Sequence, residues 1–561
     1  MIEIDSDYSL ANPNVNFRVA AGPGAGKTHW LVNHIRGVVG NVDALGKFGK
    51  VACITYTNVG AETVLRRLGA ASHRVEVSTV HSFFYKNVVK PYLGFIADEL
   101  GIVATKVVGH EDTIVSDFQF LIEWKKSTKQ NYLVEHEKIV SALKAMIWTR
   151  GDDGKVVLKL MRRTPNQARV TNASLPVYKQ MAWARGVIHH DDVMYFTYIL
   201  FSRYPFLIKT LAAKFPYFYV DEFQDSNSLQ VEIFRLLALE GAFVGIIGDL
   251  AQSIYSFNGA SPVDFKNFAA PGIVEYVMLQ NRRSSNEIIG VLNFVRKDLT
   301  QIQFRNYVGG RPELLVGEMK LAIANASAKC LGEEIVTLSR RNETVQLVKT
   351  GGIPPANPTN LFSQAITHDS NWPRREVLIS CVKAVVLARG ASFSSGLREI
   401  TKALRHFCGP EVAEYRKVEI LISLLENFHL YNIKSMADFA DFFCRKYKIA
   451  MPKIIGGKPK IFYQSYTFSD FSACVKQSDD VGANRTVHKA KGDEFENVLF
   501  LCSKSDELSG LIKPNLLKTE EHRILYVGMS RARNRLFINV PELPEKSRLK
   551  LSKHFEIVDL V

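Results

Sequence analysis

The stretch Ala21-Gly22-Pro23-Gly24-Ala25-Gly26-Lys27-Thr28 limits the folds open to this chain more than any other. It sits between a short apolar run, Phe17 to Ala20, and a helix-like segment that includes Trp30-Leu31-Val32 and Ile35. Strand, glycine turn and helix in that order form a cradle for phosphate. Glycines let backbone N–H groups curl around phosphate oxygens where a Cβ would obstruct. Lys27 then reaches the terminal phosphates, and the Thr28 hydroxyl suits Mg²⁺. Ala21 stands where such loops usually begin with glycine. Taken alone, the stretch also reads as a glycine-rich turn without a ligand, so the rest of the chain must decide.

At 561 residues the chain is long enough for several domains. A hydrophobic content of 47% is that of a globular protein with real cores. No apolar run is long enough to span a bilayer, and Met1-Ile2-Glu3-Ile4-Asp5 lacks the basic start and apolar stretch of a signal peptide. A cytoplasmic protein without a membrane partner is the expectation. Lys and Arg number 71 against 56 Asp and Glu, a net charge of +15. That balance favours a polyanionic partner, a phosphate backbone first among them. The seven cysteines are scattered without a C-x-x-C pair, which argues against a zinc module or iron–sulfur cluster.

Strand-like and helix-like segments alternate through the first quarter of the chain. Val51 to Tyr56 reads as a strand before a helix from Gly60 to Leu68. Tyr217 to Val220 and Phe243 to Ile247 are apolar runs that end near acidic residues, as buried parallel strands do. Asn497 to Leu501 and Arg535 to Val540 repeat the pattern. Two regions break it. Residues 87–190 are Lys-rich and mostly helical in pattern, with no strong strand signal after about residue 110. Residues 351–480 open on a Gly/Pro/Asn-rich stretch, Gly351 to Asn360, and continue with helical periodicity. Both read as helical insertions into α/β cores. His189 and His190 precede Asp191-Asp192 but lack a third ligand at helical spacing, so a capped helix start accounts for them better than a metal site.

Asp221-Glu222-Phe223-Gln224-Asp225 follows directly on the run ending at Val220. Hydrolysis of a nucleoside triphosphate needs one carboxylate for the metal and another to orient and deprotonate water; Asp221 suits the first task and Glu222 the second. Further on comes Gly248-Asp249-Leu250-Ala251-Gln252-Ser253-Ile254-Tyr255-Ser256-Phe257-Asn258-Gly259-Ala260. With these segments the sequence closely resembles the UvrD/Rep/PcrA-like family of superfamily 1 helicases. Other segments match in the family's order. Thr55-Tyr56-Thr57-Asn58 and Ser78-Thr79-Val80-His81-Ser82-Phe83 resemble its early DNA-contacting motifs. Asn281-Arg282-Arg283-Ser284 is similar to its NYRS motif, and Thr486 to Phe495 to TVHxxKGLEF. Glu520 to Ala532 resembles the final motif.

The resemblance implies two RecA-like parallel-sheet core domains, each with a mainly helical insertion, that clamp ATP between them and carry single-stranded nucleic acid across their tops. The first core domain is expected at residues 1–86 and 191–273, with residues 87–190 as its insertion. The second is expected at 274–350 and 481–561, interrupted by 351–480. Ala21 to Thr28, His29, Arg282 and Glu494 would contact ATP, with Thr28 and Asp221 on Mg²⁺. Lys27, Glu222, Gln252, Arg283 and Arg531 would carry catalysis, the two arginines as arginine fingers and Gln252 as the γ-phosphate sensor. Tyr56, Thr57, Asn58, His81, Tyr255, Phe257 and His488 would face the nucleic acid. Flat rings serve that role because every base offers a face to stack on. Phe83 and Phe84 fit core and contact equally well.

Three positions around the base depart from the family. Residues 1–28 contain no glutamine to read the adenine edge, His29 replaces an Arg, and Arg282 replaces the stacking aromatic. A fourth, Asn258, stands where the family has Arg. The phosphate-handling residues are intact, so retained hydrolysis with an altered base pocket is expected; Arg282 can still stack its guanidinium plane on a purine. The activity implied is a translocase or helicase on single-stranded DNA and its junctions with duplex, moving 3′ to 5′. The Lys-rich insertion reads either as a duplex contact or as a solvated face. The rival reading is a DNA- or nucleotide-sensing ATPase that regulates a partner nuclease, because compact members of this family sit beside OLD-family nucleases in Gabija-type defence operons. The final motif is followed by about thirty residues, so no appended nuclease domain is expected there.

Overall fold

The computed structural model describes all residues except 42–44, 108, 112–117, 152, 162–166, 350–360, 391, 406, 409, 476–481 and 561. The Gly/Pro/Asn-rich stretch from 351 to 360 lies outside the described residues.

The fold is mixed α/β, built on two large parallel sheets. The first has seven strands: β1 (Ile2–Glu3), β2 (Phe17–Ala21), β3 (Val51–Thr55), β4 (Val75–Thr79), β5 (Tyr217–Val220), β6 (Phe243–Gly248) and β7 (Val274–Met278). In space they run β1-β7-β2-β6-β5-β3-β4. The central strands are covered on both faces, so they are apolar throughout rather than alternating; every residue of β3 and β5 is buried. Parallel pairing aligns their carboxyl ends. Gly248 of β6 lies opposite Ala20 of β2, and Ile246 opposite Val220 of β5. The loops after β2, β5 and β6 therefore emerge on one rim, where parallel α/β sheets bind ligands.

The second sheet has six strands: β8 (Glu313–Val316), β9 (Ile335–Ser339), β10 (Asn484–Thr486), β11 (Phe495–Leu501), β12 (Ala532–Val540) and β13 (Glu556–Asp559). Their order is β10-β9-β11-β12-β8-β13, again parallel throughout.

Two expectations need correction. Residue 274 does not open the second core unit, because Val274–Met278 pairs with β2 along its length, Val274 opposite Phe17 and Met278 opposite Ala21. The first sheet needs this strand to cover the free side of β2, and its partner lies some 250 residues away in sequence, out of reach of local reading. The first insertion is mainly helical, but strands do lie after about residue 110, where no strong strand signal was read. Met146–Arg150 and Val156–Leu160 form an antiparallel hairpin, and His110–Glu111 pairs with Ile188–His189. Gly151 N–H donates to the Lys155 carbonyl at 2.8 Å, and Gly154 takes φ +79° in the turn. The flanking β-branched residues and this glycine turn are an ordinary hairpin signal.

The second insertion has its own core, in which helix Trp372–Arg389 packs on Phe393–Arg405 and against Phe468–Ala473. At its centre the fully buried Asp369 accepts two hydrogen bonds from Arg374, at 2.9 and 2.5 Å, and one from the Tyr463 hydroxyl at 3.1 Å.

Candidate nucleotide and nucleic-acid site

The glycine loop connects β2 directly to α1 (Lys27–Asn41). Ala21 closes the strand, and the turn begins with Gly22 N–H donating to the Met278 carbonyl at 3.3 Å. Gly24 and Gly26 take φ of +72° and +82°, the left-handed region that glycine enters without penalty. Space is as restrictive as angle. A Cβ on Gly24 would come within 2.6 Å of Asn281 Oδ1, and one on Gly26 within 2.8 Å of Ser6 Cβ. Lys27 and Thr28 form the first turn of α1, whose free N–H groups and dipole favour a phosphate.

Asp221 follows β5, with its N–H held by the Ile54 carbonyl at 2.9 Å. Glu222 takes φ +54°, an uncommon conformation for a residue with a side chain, and its N–H donates to Asp221 Oδ1 at 2.9 Å. Burial, and then the charge of Glu222, push the Asp221 carboxyl well above its ordinary value. Burial also opposes the charge of Glu222, but Lys491 and Lys27 outweigh it and hold this carboxyl below the usual range. An ionised Glu222 suits a base. Asp221 sits in an anionic site short of positive charge, and its carboxylate with the Thr28 hydroxyl is an all-oxygen donor set of the kind Mg²⁺ prefers.

Across the cleft, Gln252 Oε1 accepts from Arg531 Nη2 at 2.8 Å while its Nε2 donates to Asp249 at 2.7 Å. Desolvation, and then the neighbouring Arg283, push the Arg531 guanidinium down to about 9. Arg283 pairs with Glu494 at 2.7 Å and donates to the Ser530 carbonyl at 2.9 Å. Arg282 donates its backbone N–H to the Gly24 carbonyl at 2.9 Å, which fastens this segment onto the glycine loop. Its guanidinium lies 4.0 Å over the Phe304 ring and 3.2 Å from Asp7, which also holds His29 at 3.1 Å. His29 and then Arg282 keep the exposed Asp7 carboxyl below its ordinary value.

The loop after β6 is gripped by residues from the C-terminal motifs. Lys491 donates to the Gln252 carbonyl at 2.7 Å, Arg523 to the Ser253 carbonyl, and His488 Nε2 lies 3.0 Å from the Ile254 carbonyl. Three residues beyond Gln252, Tyr255 stacks on Tyr56 with centroids 4.6 Å apart. Phe257, nearly half exposed, sits 5.9 Å from the His488 ring, and Asn258 donates to the Tyr56 hydroxyl at 2.9 Å. Asn258 thus supports an aromatic ring at the position where a charge was lost.

Tyr56, Tyr255, Phe257 and His488 therefore form one aromatic surface. Of the other expected strand contacts, Thr57 and Asn58 are exposed beside Tyr56, and His81 lines a cavity together with Tyr56 and Phe257. The Thr57 hydroxyl caps the helix that begins at Asn58, accepting from Gly60 N–H at 3.0 Å. His81 stacks 5.5 Å from His190 of the first insertion. Phe83 and Phe84 are fully buried in the core. Asp192 accepts from His189 N–H at 2.9 Å at the start of helix His190–Arg203, so these neighbouring residues cap a helix.

Several residues in the cleft were not singled out from sequence. Lys491 pairs with Asp225 and lies 3.9 Å from Glu222, and both were visible inside quoted motifs. Asp7 and Phe304 carried no motif at all.

Two parallel sheets with a phosphate-binding loop on the rim of the first define a nucleoside-triphosphatase core. Residues 6–271 match the UvrD/REP helicase N-terminal domain, and residues 460–542 match the UvrD-like helicase C-terminal domain. The chain belongs to the UvrD-like helicase family. It is similar to the Gabija protein GajB of Bacillus cereus, 25% identical over 321 residues that cover 50% of this chain and 46% of that one. It is also similar to the ATP-dependent DNA helicase Rep of Escherichia coli, 28% identical over 295 residues, covering 49% of this chain and 40% of Rep. To the ATP-dependent DNA helicase PcrA of Staphylococcus aureus it is 26% identical over 291 residues, covering 50% of this chain and 38% of PcrA. The chain thus spans less than half the length of these curated relatives. Among the described residues no helix is long and apolar enough to cross a membrane.

Proposed function

We propose that this protein is a cytoplasmic motor that hydrolyses ATP to translocate 3′ to 5′ along single-stranded DNA and to act at its junctions with duplex. The observation that carries the reading is the loop after β6, which holds Gln252 against Arg531 at 2.8 Å and Tyr255 against Tyr56 at 4.6 Å. A change at the γ-phosphate is thereby passed within three residues to a surface on which bases stack. In this reading Lys27 and the glycine loop hold the phosphates, and Asp221 and Thr28 hold Mg²⁺. Glu222 is the base, and Gln252, Arg283 and Arg531 respond to charge on the transferring phosphoryl group. His29, Arg282 and Glu494 line the base and ribose side. The core units are then 1–86 with 191–278, and a second unit that resumes at 481 after the 351–480 insertion. The names of Rep and PcrA support a helicase reading, and the net charge of +15 supports a polyanionic track.

The base pocket belongs to the same reading. Asp7 stands beside Arg282 and His29 with a carboxylate that can only accept hydrogen bonds. It fits a base edge that offers N–H groups, which both adenine and guanine do, so the pocket is tolerant of purines. The experiment for the whole reading is displacement of streptavidin from biotinylated oligonucleotides. ATP-driven displacement from the 5′ end alone is expected, and displacement from the 3′ end would overturn the polarity.

A second reading has one specific support, the similarity to GajB, whose name places that protein in a Gabija system. There the chain would be an ATPase subunit that senses DNA and controls a nuclease of the OLD type. Co-purification with such a nuclease, together with weak unwinding by the lone chain, would favour it.

A further inference from the structure

Arg296 lies outside both matched domains and belongs to none of the sequence motifs. It follows helix Asn286–Val295, whose buried Ile288, Leu292 and Val295 share a core with Leu314 and Leu338 of the second unit. Its backbone leaves the helix in an extended conformation, φ −99° and ψ 132°, with its N–H still held by the Leu292 carbonyl at 2.9 Å. The side chain reaches the first unit. Nη1 lies 2.7 Å from Asp249 Oδ1, while Nε and Nη2 donate to Asp298 at 3.0 and 3.1 Å. Both partners of the pair between units are buried, Arg296 at 3% and Asp249 at 1% exposure.

Asp249 divides its carboxylate between the units. Oδ1 meets Arg296 and accepts from Ala251 N–H at 3.0 Å, while Oδ2 accepts from Gln252 Nε2 at 2.7 Å. A carboxylate only accepts and a guanidinium only donates, so the Gln252 amide has one orientation, nitrogen on Asp249 and oxygen on Arg531. The Asp249 backbone meets the other side of the site. Its N–H donates to Gln224 Oε1 at 2.9 Å, and Gln224 Nε2 donates to Glu222. Asp249 thus links the base to the sensor, and Arg296 is the cation that meets its carboxylate. A buried ion pair contributes little over apolar packing, yet losing one partner costs heavily. The pair therefore holds Asp249 in place rather than adding net stability.

We propose that Arg296 is a positioning residue for ATP hydrolysis, holding Asp249 so that Gln252 keeps one orientation when the two core units are together. The inference rests on the reading of Gln252 as the γ-phosphate sensor and adds a residue of the second unit that acts through it. With one amide N–H committed to Asp249, the second N–H of Gln252 is left for a phosphate oxygen. Withdrawal of Arg296 as the units separate frees Asp249 to turn, and Gln252 loses its fixed orientation. Misplacing a reacting group by about 1 Å can cost on the order of a hundredfold in rate. The effect falls on kcat rather than KM, because Gln252 acts on charge that develops in the transition state.

The test is steady-state ATP hydrolysis by the full chain at saturating single-stranded DNA, read as kcat and KM for Arg296→Met, Gln252→Ala and the double variant. Arg296→Met should lower kcat by about ten- to a hundredfold. Its KM for ATP should stay within about twofold of the wild type. In the Gln252→Ala background the same substitution should lower kcat no further, because the residue it acts through is gone. Arg296→Lys keeps a cation for Asp249 and should recover most of the loss. If Arg296→Met does not fold, Asp249→Asn serves. It keeps the volume, leaves Arg296 its bonds to Asp298, and should show the same loss in kcat and the same lack of additivity. Losses that multiply in the double variant, a change confined to KM, an unchanged kcat, or an equally low kcat for Arg296→Lys overturns the proposal. Full turnover by Gln252→Ala overturns the sensor reading itself, a different result from any of these.

Discussion

At Arg282 the chain replaces a flat ring with a flat cation. The guanidinium lies 4.0 Å over Phe304 and pairs with Asp7, while its backbone N–H holds the segment to the glycine loop. A delocalised cation stacks on either purine. GTP should therefore compete with ATP within about tenfold, a gap of about 1.4 kcal/mol. Steady-state competition measures this, and a strong preference for ATP would mean that another group reads adenine. Lys27 permits a simpler experiment. Lys27→Ala should abolish hydrolysis while strand binding at low salt survives, and retained turnover would contradict the phosphate role.

Among the elements, the loop from Asp249 to Asn258 carries the coupling in the proposed mechanism. Residues from both sheets hold it, with Arg531, Lys491 and His488 on one side and Tyr56 on the other. Tyr255→Ala removes the ring while Gln252 stays in place. It should leave basal hydrolysis and suppress stimulation by DNA several-fold, whereas full stimulation would assign Tyr255 to packing. The second insertion offers a test of stability. Asp369→Ala strips Arg374 of its buried partner, and breaking such a pair typically costs about 3–5 kcal/mol. Denaturant unfolding should show that loss as an earlier transition for the insertion, and an unchanged transition would mean that the pair contributes little. The central strands were legible in sequence because strands buried on both faces read as unbroken apolar runs, as Tyr217 to Val220 does. The hairpin at Met146–Arg150 and Val156–Leu160 was missed, because a Lys-rich, helix-patterned segment masked its glycine turn. β7 was assigned to the wrong sheet because its only signal is a partner near the start of the chain.

For the whole molecule, residues from the two sheets meet across the cleft, and most of the candidate nucleotide site could be read from local chemistry in the sequence. Lys27, Asp221 and Arg531 each sit in a motif whose residue types follow from charge development on phosphate. Asp7 was not legible. It is a single exposed carboxylate in an unpatterned segment, and its meaning arises only when the fold brings Arg282 and His29 to it. In the proposed mechanism, the contacts across the cleft, Arg282 to Gly24 and Arg531 to Gln252, make hydrolysis depend on how the two units sit together. A strand lying across both would bias that arrangement. Steady-state ATP hydrolysis by the lone chain, with and without single-stranded DNA at low and physiological salt, tests this claim most directly. The account predicts strong stimulation by DNA that weakens as salt rises. Turnover that is absent, or the same with and without DNA, would contradict it.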